Sequence, residues 1–142
     1  MKSILITEDP VNISEILEQG SSDSDGSDLV FIGRVRNNSK GKNVKLIDYD
    51  IYPEMALSEL HKIADEAISK SALNRCIIVH RYGRVYPGET SIVIIVSAPH
   101  RAETYEGSRY IIDEIKKRVP IWKKEQYSDG SEWLSDRSRS EE

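Results

Sequence analysis

A chain of 142 residues with 38% hydrophobic and 31% charged side chains has the balance of one soluble globular domain with a single core, not of a disordered or fibrous polymer. Its apolar runs stop at strand length, well short of the roughly 20 residues that span a bilayer, and the apolar start is too short for a secretory signal, so the cytoplasm is the expected location and no membrane partner is expected. A net charge of −4 argues against general nucleic-acid binding, and the lone Cys76 excludes an internal disulfide.

In chain order, residues 2–7 read as a strand. Asp9-Pro10 reads as a helix start, with Asp as N-cap and Pro at the first helical position, and that helix is expected to end near Gly20. Residues 21–28 form an acidic, Ser-rich loop, read as mobile. Residues 29–35 read as a strand, 37–43 as a flexible turn and 44–52 as the next strand. Pro53 opens a long helix whose core face is read from Leu57, Leu60, Ala64, Ala67, Ile68 and Ser71. Residues 75–84 and 90–97 read as strands across a turn at 86–89. Cys76, inside an apolar run, is read as a buried structural thiol. A second long helix over 101–118 has Tyr105, Ile111, Ile112 and Ile115 as apolar positions and stops before Pro120. Residues 121–127 and 132–134 read as a hairpin. Strands and two long helices without βαβ alternation place the fold in the α+β class. The expected organisation is one domain over 1–135 and a charged, disordered tail over 136–142.

Charge is uneven along the chain. Between Ser3 and Gly33 there are seven acids and no Lys or Arg, whereas from His80 to Lys124 there are nine Lys or Arg and five acids. Three constellations stand out. Arg34 and Arg36, two apart on a strand end, share a face and can grip a phosphate or carboxylate, or simply form a solvated strand edge. His100 and Arg101 open a helix, where free N–H groups favour anions; a cation there is unfavourable to stability, which hints at function. Lys116, Lys117, Arg118, Lys123 and Lys124 crowd around Pro120 and Trp122. Clustered and buried cations have depressed pKa values and can act in proton transfer, although a solvated basic face also explains some charge runs. There is no Gly-rich phosphate loop, no nucleophile elbow and no metal-ligand spacing among His61, His80 and His100. No bound cofactor is expected.

Taken together, Phe31-Ile32-Gly33-Arg34-Val35-Arg36-Asn37, Tyr52-Pro53, Val79-His80-Arg81-Tyr82-Gly83, Pro87-Gly88-Glu89, His100-Arg101 and Lys116-x-Arg118-Val119-Pro120-Ile121-Trp122-Lys123-Lys124-Glu125 closely resemble the large-subunit family of molybdopterin synthase, the MoaE family. The resemblance covers about 29–133. It implies an α/β-hammerhead fold with an additional antiparallel sheet region. It also implies a homodimer at the centre of a heterotetramer, each copy binding a small ubiquitin-like sulfur carrier whose C-terminal Gly-Gly tail ends in a thiocarboxylate. The implied reaction transfers two sulfurs to cyclic pyranopterin monophosphate, forming the molybdopterin dithiolene; a partner that brings the sulfur removes the need for a thiol. By position, the resemblance makes Lys116 and Lys123 catalytic, and Arg36, His100, Arg101 and Arg118 substrate-binding. The competing expectation is a non-catalytic anion-binding or scaffold protein of the same fold.

Overall fold

The computed structural model describes residues 1–135; the expected tail over 136–142 lies outside them. Its strands are β1 (Lys2–Thr7), β2 (Ser27–Arg34), β3 (Asn38–Ser39), β4 (Lys42–Ile51), β5 (Arg75–Arg81), β6 (Gly83–Val85), β7 (Thr90–Ala98), β8 (Ile121–Tyr127) and β9 (Glu132–Ser135). Its helices are α1 (Ile13–Glu18), α2 (Pro53–Ser71) and α3 (Arg101–Arg118). The first sheet runs β1-β5-β7-β2, with β1 parallel to β5 and the other pairs antiparallel. The second runs β3-β4-β8-β9, with β6 also pairing to β4. This is the α+β architecture that the irregular mix of strands and helices implies.

Period-two alternation sorts the first sheet's side chains onto two faces. Cys76, Ile78, Ile92, Ile94 and Val96 face the main core, which they share with Leu60, Ile63, Ile111 and Ile115 of the long helices and Ile47, Tyr49 and Ile121 of the second sheet. Ile77, Val79, Val93 and Ile95 face the other way and are covered by Val11, Ile13 and Ile16 around α1. Cys76 is fully buried and burial pushes its thiol up to about 12, the inert state expected of it.

Six local expectations are corrected. The first helix starts at Ile13, not at Pro10. The Asp9 N–H is taken by Thr7 Oγ1 in a turn, and Asn12 Oδ1 accepts from Glu15 N instead. The acidic loop is fastened: Asp25 Oδ1 accepts from Asn74 Nδ2, and the Gly26 N–H donates to the Ala98 carbonyl. The strand over 75–84 breaks at Tyr82, because Gly83 has φ 76°, and the chain leaves the first sheet to pair as β6 with β4 of the second. The turn over 37–43 is a short hairpin tied to the β8–β9 hairpin. Lys42 Nζ donates to Ser131 Oγ at 2.9 Å, and Lys40 Nζ lies 3.3 Å from the Trp133 ring centroid. On α2 the buried stripe is Ala56, Leu60, Ile63, Ala64, Ala67 and Ser71, with Leu57 exposed; on α3, Tyr105 is exposed and Gly107 packs instead. Among the described residues, no helix is long and apolar enough to cross a membrane.

Candidate functional site

The second sheet's inward face carries the site. Along β8, Ile121, Lys123, Glu125 and Tyr127 alternate inward, while Trp122 and Lys124 point to the other face. Ile121 belongs to the core, but Lys123 and Glu125 place polar ends on a core-facing surface, with side chains only 12% and 6% exposed. Lys123 pairs across the ladder with Tyr49, and Glu125 with Ile47. All four border a cavity that His80 and the last turn of α3, through Lys116, also line. The reverse at Val119-Pro120 is what returns the chain: Val119 caps α3 and Ile121 begins β8, so Lys116 and Lys123 meet at the same cavity. At the C-terminal end of a helix, Lys116 also sits where the helix dipole favours a cation.

Glu125 is the hub of the polar floor. Its Oε1 accepts from Ser39 Oγ at 3.1 Å and from the Tyr127 hydroxyl at 2.8 Å, and its Oε2 lies 3.6 Å from Lys123 Nζ. Burial, and then the bond to Glu125, push the Tyr127 phenol up to about 12, so it stays a donor. His80, 2% exposed, is held neutral: burial above all, and then the positive charge of Lys116, bring it down to about 4.

Arg36 and Arg34 line the mouth of this cavity and an adjoining open groove bordered by Asn37, Asn38 and Gly88. A bulge between Gly33 and Arg34 turns the end of β2, and Arg34 Nε and Nη2 are pinned on the Gly88 carbonyl at 3.2 and 3.1 Å. The cavity is partly open, and a larger anion would enter it between the arginines and the lysines.

Three of the expected residues lie elsewhere. Arg118 turns away into an acidic cluster between α2 and α3: Nη1 is 2.6 Å from Glu66 Oε1 and 3.3 Å from Glu114 Oε1, and Nη2 is 3.1 Å from Glu59 Oε2. Arg118 and the Tyr110 hydroxyl hold the Glu66 carboxyl down at about 2. Arg118 ties the two helices together here and does not line the lysine cavity. His100 and Arg101 stand at the opposite end of α3 from Lys116, both exposed. His100 caps the helix without a side-chain hydrogen bond, its Nδ1 3.6 Å from Glu103 Oε1. From residue 101 to 116 the helix advances about 22 Å at roughly 1.5 Å per residue, so neither side chain can reach the lysine cavity of its own chain. Lys117 and Lys124 also turn outward, onto Glu114 at 3.4 Å and Glu132 at 2.8 Å.

Glu125, Tyr49, His80 and Asn38 join the site without having been singled out for it. The signal for Glu125 was available: two residues beyond Lys123 on a strand, it must share that lysine's face.

The family model described as MoaE protein matches residues 6–118. The molybdopterin synthase catalytic subunit of Halalkalibacterium halodurans is 42% identical to this chain, over 95% of the chain and 86% of that protein. The molybdopterin synthase catalytic subunit of Pyrococcus abyssi is 40% identical over 87% and 83%. Among solved structures, the molybdopterin synthase of Staphylococcus aureus superposes with a TM-score of 0.86 at 33% identity, over 93% of this chain and 96% of that one. With a family model spanning most of its length, relatives at this identity, and a basic cavity built from the residues that carry the likeness, the chain belongs to the MoaE family.

Proposed function

We propose that the chain is the catalytic subunit of a molybdopterin synthase. In this reading it transfers sulfur, in the cytoplasm, from the thiocarboxylated Gly-Gly terminus of a small ubiquitin-like partner to cyclic pyranopterin monophosphate. The observation that carries the reading is the convergence of Lys116 from α3 and Lys123 from β8 on one cavity whose mouth holds Arg36 and Arg34. A thiocarboxylate and a phosphate are both anions, and this is a concentrated cationic site on a chain of net charge −4. Lys116 orients and polarises the thiocarboxylate and assists proton transfer as its sulfur attacks the pterin. Lys123, held by Glu125 at 3.6 Å, stabilises the negative charge that develops or returns a proton to it. Arg36 binds the phosphate at the cavity mouth, where a guanidinium can engage two oxygens.

His100 and Arg101 enter this scheme through a second copy. About 22 Å of helix separates them from their own Lys116, so in a homodimer they act on the substrate in the other copy's pocket. The test of the reading is reconstitution: purified chain, thiocarboxylated partner and cyclic pyranopterin monophosphate, with molybdopterin followed as its fluorescent oxidised derivative. Product is expected; a stable partner complex that yields none would mean a scaffold of the same fold.

A further inference from the structure

Buried at the floor of the cavity, between the first sheet and the last turn of α3, His80 has a defined tautomer. Its Nδ1 lies 2.7 Å from the Arg81 carbonyl oxygen, which can only accept, so Nδ1 carries the hydrogen and Nε2 carries a lone pair. The ring plane is set by Tyr49, which meets it edge-on at 5.7 Å and 79°. Among the described residues, the buried side-chain nitrogens and oxygens without a partner are Asp25 Oδ2 and Arg81 Nε; His80 Nε2 is not one of them. The imidazole borders the same cavity as Lys116, and the charge of Lys116 bears on it directly.

We propose that His80 is a positioning residue for Lys116: its fixed Nε2 lone pair accepts a hydrogen bond from the Lys116 ammonium and holds that ammonium at one place over the cavity. The inference rests on the sulfur-transfer reading for its consequence, but not for its geometry. Lysine carries its charge on a flexible four-carbon stem, and a group that must meet a thiocarboxylate at a fixed point needs an acceptor to set its direction. The ionisable groups facing the ring are Tyr49 from β4, Lys116 from α3, Lys123 and Glu125 from β8, and Arg34 and Arg36 at the mouth. Glu125 is already engaged by Ser39, Tyr127 and Lys123. A protonated imidazole would add one more cation to this set, whereas a neutral one supplies the acceptor.

The alternative is that His80 serves only the Arg81 carbonyl. Two substitutions separate the readings. His80→Asn keeps an N–H near the Nδ1 position and loses the Nε2 lone pair; His80→Gln reaches the Nε2 position with an amide oxygen. In reconstituted synthase we expect His80→Asn to lower kcat by about tenfold or more with KM for the pterin changed less than about twofold, and His80→Gln to recover most of that loss. Activity retained by Asn and lost by Gln, or retained by both, would overturn the proposal. A second readout needs neither turnover nor a changed core: the ¹⁵N resonance of His80 Nε2 in the whole chain. It should shift in Lys116→Met and stay in place in Lys123→Met; an Nε2 signal indifferent to Lys116 would refute the contact. If the native chain makes no product while this shift occurs, the sulfur-transfer reading fails and the positioning contact stands.

Discussion

Two lysines seven positions apart, Lys116 and Lys123, share a cavity because a helix ends, a proline reverses the chain and a strand begins between them. The neighbouring cations turn outward or into the helix interface. Arg118 is the clearest case, and Arg118→Gln should act on stability, lowering it by about 1–3 kcal/mol in urea unfolding as three carboxylates lose their common partner, with kcat of the folded enzyme unchanged. Acid should act in two steps of the same sign. His80, depressed from 6.5 to about 4, binds its proton more readily unfolded, so its contribution is complete above pH 6.5 and shrinks as pH falls toward 4, by as much as about 3 kcal/mol. Glu66, depressed from 4.5 to about 2, contributes above pH 4.5 and loses that contribution as pH falls toward 2. His80→Gln should flatten the upper step of a plot of urea midpoint against pH, and Arg118→Gln the lower. A charge run in a sequence does not say which cations face inward. That depends on which face of α3 and β8 meets the core, and for β8 the alternation of Ile121, Lys123, Glu125 and Tyr127 does contain the answer.

At the scale of elements, periodicity reads the long segments well. α2, α3, β5, β7 and the β8–β9 hairpin fall close to where apolar spacing puts them. The failures come where a tertiary contact outweighs a local preference. Asp9-Pro10 has the chemistry of a helix start, yet Asn12 provides the cap. A run from Arg75 to Arg84 looks continuous until Gly83 sends it to the second sheet. Least legible is Arg75, which looks like an ordinary strand residue and is 1% exposed. Its Nη1 donates to the carbonyls of Leu17 and Gln19 at 2.7 Å, its Nε to Ser97 Oγ at 2.9 Å and its Nη2 to Asp28 at 3.2 Å, clamping the end of α1 onto the sheet. Arg75→Ala takes the donor from Ser97 Oγ and from the part-buried Leu17 and Gln19 carbonyls, while Asp28 is half exposed, and should destabilise the protein by about 1–3 kcal/mol, with hydrogen exchange around α1 rising first.

The whole molecule divides labour between two sheets. The first contributes His80 and Arg34 to the cavity, while the second, joined to it through β6 and a shared core, carries Lys123 and Glu125 and receives Lys116 from α3. If Arg101 contacts the substrate, the length of α3 requires that it do so in the pocket of another copy. Mixing Lys116→Ala chains with Arg101→Ala chains, each inactive alone, should restore product in about one pocket in four once copies exchange, since one pocket of each mixed dimer is then intact. No recovery on exchange would contradict a role for Arg101 in the other copy's pocket. The most direct test of the central claim is the reconstituted reaction with Lys116→Ala beside the native chain, with partner binding measured in parallel. Molybdopterin is expected from the native chain and at least about a hundredfold less from the variant at unchanged partner affinity; equal product from both would remove Lys116 from the reaction.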